Sequence, residues 1–382
     1  MTFFRLGLTS FGGPVAHIGY FRKELVERRS WVSDSQFSQL LAISQFLPGP
    51  ASSQLGFSLG LLRAGWLGAL AAFLAFTLPS VLLLFAFSSL LPYLSGPVSE
   101  AAIHGLKLVA CVVVADAVLG MSKKLCPDKQ RRTIAILAVC ILLVAASAWS
   151  QILVVLLGAM AGITFCKTSL ADPQARLNVS YSKRTGMFFF AVFMALFLLL
   201  SMTSTDDPLF GIGKAFYNAG ALVFGGGHVV LPLLEDSVVA SGWVSSESFL
   251  AGYGASQAIP GPMFAFSAYL GAIIPTEYAS WIGALLALLM IFLPGFLLMA
   301  AALPLWQSIS HSQVAANAIA GVNAAVVGIL AAALYDPIFT SGIGSGLDLA
   351  IVMIGYGMLT IWNRSALQVV VWCVLASVLS VL

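Results

Sequence analysis

Nine apolar stretches recur along this chain of 382 residues, at 66–93, 101–121, 133–149, 152–166, 185–203, 279–303, 314–335, 347–362 and 366–382. Runs of this kind are what a bilayer core of about 30 Å asks of a crossing helix. Composition agrees: 60% of the residues are hydrophobic and 9% charged, against roughly 25% charged in a soluble domain. A cytosolic enzyme, a nucleic-acid binder and a secreted disulfide scaffold are thereby excluded. The excess of 18 Lys+Arg over 15 Asp+Glu is too small to imply a polyanionic partner. Cys111, Cys126, Cys140, Cys166 and Cys373 stand singly, without CxxC or metal-ligand spacing. They are expected to pack as small apolar residues between helices, and no cofactor is expected. The first residues do not read as a removable signal peptide.

The chain is also a tandem duplication. Phe11-Gly12-Gly13-Pro14 is echoed by Phe224-Gly225-Gly226-Gly227, and Trp31-Val32-Ser33 by Trp243-Val244-Ser245. Gln45-Phe46-Leu47-Pro48-Gly49-Pro50 returns as Gln257-Ala258-Ile259-Pro260-Gly261-Pro262. Gly68-Ala69-Leu70 returns as Gly283-Ala284-Leu285, and Leu78-Pro79 as Leu293-Pro294. The offset drifts only from 212 to 215 over these matches. The repeats are read as 1–166 and 211–382, joined by 167–210, a cytoplasmic loop plus one extra transmembrane helix.

Two further segments in each repeat are apolar but interrupted: 6–21 and 36–62, then 215–234 and 248–274. They are either broken spanning helices or re-entrant hairpins. The basic residues choose. If 36–62 re-enters, the clusters Arg22–Arg29, Lys123–Arg132 and Lys167–Arg184 all face the cytoplasm, as the positive-inside rule prefers. The loop matching Arg22–Arg29 in the second repeat instead carries Glu235, Asp236 and Glu247. Four spans plus the extra one make an odd number, so the second repeat should be inverted. The expected fold is an all-α polytopic membrane protein of two inverted-topology repeats with re-entrant or broken hairpins. In that plan substrate binds near the midplane, at the repeat interface. Lys23, Lys124 and Arg184 should face the cytoplasm, and Asp206, Glu235, Glu247 and Glu277 the periplasm.

The interruptions themselves are the candidate site. Pro is favoured at a helix start, where its missing N–H costs nothing. With Pro50 there, Ala51, Ser52 and Ser53 offer unpaired backbone N–H groups at a positive helix end, and Met263, Phe264 and Ala265 do so behind Pro262. Such bare backbone is tolerable at membrane depth only when buried or lining a cavity. Orphan donors without an acid nearby describe an anion site. Ser44, Gln45, Ser52, Gln54, Ser256, Gln257 and Ser267 supply further neutral donors. Gly12, Gly13, Gly226 and Gly227 combine close backbone approach with spare N–H groups, and Gly49 and Gly261 shape the tips.

Four other residues carry charge or protons. Asp116 lies inside span 101–121, where a carboxylate is costly and a candidate for proton coupling, an interhelical bond being the alternative. His17 and His228 follow the glycine turns, either as packed histidines or as proton carriers. Arg63 is either a topology anchor or a charge that draws anions inward.

Phe11-Gly12-Gly13-Pro14, Gln45 through Pro50, Leu59-Gly60 to Arg63-Ala64-Gly65, and Leu78-Pro79-Ser80 together resemble the chromate ion transporter family, and the duplication resembles its long, two-repeat members. The resemblance implies efflux of chromate across the inner membrane, coupled to the proton motive force, with sulfate as the competing analogue. Its partners would be chromate, sulfate, protons and the bilayer; a homodimer is allowed and nucleic acid is not expected. A passive anion channel or a sulfate-type oxyanion transporter is the alternative on the same scaffold. A membrane-embedded reductase lacks the cysteine cluster, histidine pair or nucleotide loop it would need. The chain starts almost at its first motif, so an N-terminal extension before it is an expectation of the resemblance.

Overall fold

Helices are the only regular structure among the described residues, as a bilayer demands of a chain that is not a closed barrel. The computed structural model describes residues 1–11, 13–94, 96–145, 148–167, 177, 179–203, 207–224, 227–306 and 312–382. The first repeat holds α1 (Thr2–Thr9), α2 (Gly13–Phe21, continued as a wider turn over Arg22–Arg28), α3 (Asp34–Phe46), α4 (Ala51–Leu90), α5 (Pro97–Leu125), α6 (Lys129–Val144) and α7 (Ala148–Phe165). The extra helix is α8 (Lys183–Met202). Then follow α9 (Pro208–Leu222), α10 (Val230–Val238), α11 (Ser246–Ala258), α12 (Phe266–Ile273), α13 (Ser280–Ala302), α14 (Gln313–Ala333), α15 (Gly346–Thr360) and α16 (Ala366–Leu379). The break expected near 150 falls instead at Ala145, where α6 ends. Of the cysteines, Cys140 is exposed on α6 rather than packed, and the other four are buried.

The hairpins come from local chemistry. Ser33 caps α3 in a reciprocal box with Gln36. After the Pro-Gly-Pro turn, α4 runs to residue 63 and doubles back at Ala64 and Gly65, whose φ of 65° a side chain would resist. Its two limbs, 51–63 and 66–90, are therefore a half-helix and a full span. They press together at Gly60 and Gly68, where a Cβ on either would strike the other's carbonyl oxygen. Gly271 and Gly283 make the same contact between α12 and α13.

The two repeats are interleaved rather than side by side. α14 of the second repeat packs on α6 and α7 of the first, and α5 of the first packs on α15 and α16 of the second. Small residues allow the close approach. Gly105 lies on the backbone of Cys373 and Val374, and Gly158 and Gly162 lie on Gly321. The equivalent spans α5 and α14 run antiparallel, which is the geometry of inversion. Lys107 lies by Gly342, the Cys111 thiol donates to Ile338 O at 3.4 Å, and Cys126 packs on Ala324 and Val327.

Charge separates along the same axis. Lys107 Nζ meets Glu247 Oε1 at 3.1 Å, and His104 Nε2 meets Asp348 Oδ1 at 2.8 Å. These pairs gather the starts of α5, α11 and α15 at one end. At the other end Trp66 packs on Tyr181, whose hydroxyl donates to Ala300 O at 2.6 Å. That end holds Arg63 and Lys183, and α5 brings Lys123 and Lys124 back to it. In the basic turn after α2, Glu24 accepts from Arg28 and Arg29, and the Arg29 hydrogen bond holds its carboxyl below the usual range. With the basic end cytoplasmic, cysteines at positions 23 and 124 should resist an impermeant maleimide applied to whole cells. Cysteines at 247 and 277 should react; equal labelling of the two sets would contradict the inverted arrangement.

Candidate anion site at the half-helix ends

Each Pro-Gly-Pro turn is a backbone device. Proline has no N–H, so the glycine carries the turn's only donor. Leu47 and Ile259 are extended, as residues before proline tend to be, and Gly49 and Gly261 take φ of 119° and 102°. Pro50 sits one residue outside α4, as its cap, and its carbonyl takes the first intrahelical bond, from Gln54 N–H at 2.9 Å. The N–H groups of Ala51, Ser52 and Ser53 therefore have no intrahelical acceptor.

Each turn is held by the opposite repeat. Gly49 N–H donates to Val223 O at 2.7 Å, beside the second repeat's glycine turn, and Gly261 N–H donates to Ser10 O at 2.9 Å, beside the first repeat's. The proline carbonyls are satisfied as well. Gln54 Nε2 donates to Pro48 O at 2.8 Å and to Gly295 O at 3.0 Å, and Ser80 Oγ donates to Pro260 O at 2.6 Å. The Leu-Pro elements of the two full spans, Leu78-Pro79-Ser80 and Leu293-Pro294-Gly295, thus form the seats for the crossed tips. A Cβ on Gly49 would meet Gly295 Cα at 2.9 Å, and one on Gly261 would strike Ser80 Oγ.

The two ends match in backbone and differ in side chains. On the first, Ser53 Oγ and Gln54 Oε1 are buried without a hydrogen-bond partner among the described residues. Ser10 Oγ and Thr77 Oγ1, between the two ends, are likewise unpartnered among the described residues, and all four residues are at most 3% exposed. His17 is fully buried against the ring of Phe76. Its Nε2 lies 3.2 Å from Ser10 O and its Nδ1 3.4 Å from Ser52 Oγ. On the second end Met263–Ala265 is a tight 3-10 turn ahead of α12, with Ala265 N–H already bonded to Pro262 O. The packing there is largely aromatic. Phe264 packs on Phe292, and Phe266 packs on Phe249, Tyr253 and Tyr269. Ser52, Ser53 and Gln54 of the first repeat correspond to Phe264, Ala265 and Phe266 of the second.

The other expected donors fare unequally. Ser44, Ser256 and Ser267 bond back to Leu41 O, Tyr253 O and Phe264 O of their own helical turns. Gln45 is exposed on the last turn of α3, and Gln257 donates to Ser256 Oγ at 3.2 Å. Gln54, not the glutamine ahead of the turn, braces the tip. Gly13 opens α2 with φ of 73°, and Gly227 is buried in a short 3-10 turn; Gly12 and Gly226 lie outside the described residues. Arg63 is exposed and stacked over Trp31 at 5.4 Å, twelve residues and about 18 Å of helix from Ala51. His228 bonds Tyr253 Oη at 2.6 Å. Asp116 is half-buried on α5, with no hydrogen bond among the described residues. Lys107 turned out to pair with Glu247, 140 residues on, a partner that helical spacing alone does not reveal.

Crossed half-helix ends, each held by the opposite repeat, are thus the distinctive feature of this helical membrane protein. The chromate transporter family model matches residues 1–163 and 210–381, and the chain belongs to that family. It is 29% identical over 340 residues to a probable chromate transport protein of Synechococcus elongatus, covering 87% of this chain and 82% of that one. It is 27% identical over 338 residues to a chromate transport protein of Pseudomonas aeruginosa, covering 87% and 79%. An uncharacterized transporter of Methanocaldococcus jannaschii is 25% identical over 340 residues, covering 87% and 82%. No solved structure matches. Membership makes this chain a multi-pass membrane transporter and not an enzyme.

The bracing of the tips is open to test. Gln54→Leu strands Pro48 O and also removes a second donor from the helical Gly295 O, and Ser80→Ala strands Pro260 O, at about 1–3 kcal/mol for each buried unsatisfied group. Both variants should melt at lower temperature in detergent, Gln54→Leu by more. Melting unchanged in both would mean that these side chains do not hold the turns.

Proposed function

We propose that this protein is a secondary active transporter that exports chromate across the inner membrane, and that it holds the anion at the first-repeat half-helix end. The observation that carries this reading is the run of donors there that are unpaired among the described residues: the N–H groups of Ala51, Ser52 and Ser53 and the Ser53 hydroxyl, at a positive helix end with no carboxylate of those residues bonded to it. Chromate is a tetrahedral dianion, and neutral N–H and O–H donors hold it without the tightness that would stop release. Family membership and relatives described as chromate transport proteins support the choice of anion. Sulfate has the same shape and charge and is the expected competitor. Export of a dianion from a negative-inside cell is favoured electrically by roughly 2.3 kcal/mol per charge per 100 mV, so the membrane potential suffices as driving force.

Counterflow in proteoliposomes tests this. Vesicles loaded with unlabelled chromate should transiently concentrate labelled chromate, and excess sulfate should suppress the effect. Labelled chromate that only equilibrates would show a passive channel. Ser53→Ala removes one neutral donor, worth about 0.5–1.5 kcal/mol, and should raise the half-saturating chromate concentration roughly twofold to tenfold. An unchanged value would place the anion elsewhere.

A further inference from the structure

Resting on the anion site just proposed, the geometry points to His17 as the group that binds one proton together with each anion, so that anion and proton cross in the same direction. Ser10 O can only accept, so the His17 nitrogen facing it, Nε2, carries the ring proton. Nδ1 is then the acceptor, and the hydrogen bond at 3.4 Å runs from the Ser52 hydroxyl to it. Ser52 stands in the first turn of the half-helix, among the very N–H groups assigned to the anion. Its hydroxyl proton therefore has two possible acceptors, and an anionic oxygen is the stronger one.

When the anion takes that hydroxyl, Nδ1 is left as a buried acceptor with no donor. A proton from the water that admits the anion resolves this. The N–H formed on Nδ1 donates to Ser52 Oγ, and the imidazolium cancels one of the two negative charges in the site. When the anion leaves, the hydroxyl returns to Nδ1 and the proton leaves to water on that side. Each turnover then moves a dianion and a proton, one net negative charge, which the membrane potential still drives outward.

Among the described residues, no other charged group bonds the ring. Against α2 pack the turn after it and α4. In that turn Arg28 and Arg29 bond Glu24, and Arg22 pairs with Asp34. Lys23 and Glu27 are exposed on the same turn, as is Arg5 on α1. Arg63, on α4, is stacked over Trp31. The only hydrogen-bonding partners of the ring among the described residues are Ser10 and Ser52. The Ser10 carbonyl also accepts from Gly261 N–H, so the ring is tied to the tip of the opposite repeat.

The experiment uses the purified full chain in liposomes held at zero membrane potential, at alkaline pH where chromate is the dianion. A tenfold proton gradient, acid outside, should drive about tenfold accumulation of chromate inside. His17→Gln keeps an amide for Ser10 O and removes the titrating nitrogen; the gradient should then drive none. Ser52→Ala leaves the imidazole and its Ser10 bond and should fall well short of tenfold. A histidine with a structural role only would lower the rate in these variants and leave the accumulation ratio intact. Tenfold accumulation in His17→Gln, or movement of chromate against the proton gradient in the wild type, overturns the inference. If neither variant inserts, the wild-type ratio decides it alone. Absence of any wild-type chromate flux would instead refute the proposed function.

Discussion

Two backbone hydrogen bonds, Gly49 N–H to Val223 O and Gly261 N–H to Ser10 O, fix the arrangement on which everything else depends. In a Pro-Gly-Pro turn the glycine N–H is the sole donor, and each repeat gives it to the other. The carbonyls ahead of the glycines are taken by Gln54 and Ser80, which leaves the tips accounted for at a depth where water cannot help. Pulling the repeats apart would orphan both glycine N–H groups and Pro260 O together. α5 and α14 likewise each pack on helices of the opposite repeat. The half-helix starts are held in place because the seats that hold them belong to the other half of the molecule.

Duplication has preserved the backbone and let the side chains diverge. Both ends keep a positive-φ glycine, a crossed hydrogen bond and a glycine–glycine contact one hairpin further on. The first helix start carries Ser52, Ser53 and Gln54 beside the buried His17, whereas the matching positions of the second are Phe264, Ala265 and Phe266 in an aromatic core with Phe292.

Much of this was legible in the residues. The offset matches gave the repeats, and the interrupted segments resolved into half-helices at the positions of Pro-Gly-Pro. The unequal chemistry of the ends was present too, since Ser52-Ser53-Gln54 aligns with Phe264-Ala265-Phe266, but attention to identities hides differences. What pattern could not supply was pairing at a distance. Gln54 reaches Gly295, Ser80 reaches Pro260 and Lys107 reaches Glu247 across 140 to 241 residues, and neither periodicity nor hydropathy encodes such contacts. Gln45 misled for a related reason: its recurrence before each turn is genuine, yet the helix rotates it outward while Gln54 turns in. Arg63 carries a charge that hydropathy can place at a membrane edge but cannot aim, and it lies on Trp31.

The central claim is that the anion is held by the backbone of one half-helix end. Anomalous scattering from chromium in crystals grown with chromate locates that atom directly. The account predicts one peak, placed so that chromate oxygens reach the N–H groups of Ala51, Ser52 and Ser53. A peak against Met263 and Phe264, or beside a basic side chain such as Arg63, would contradict it.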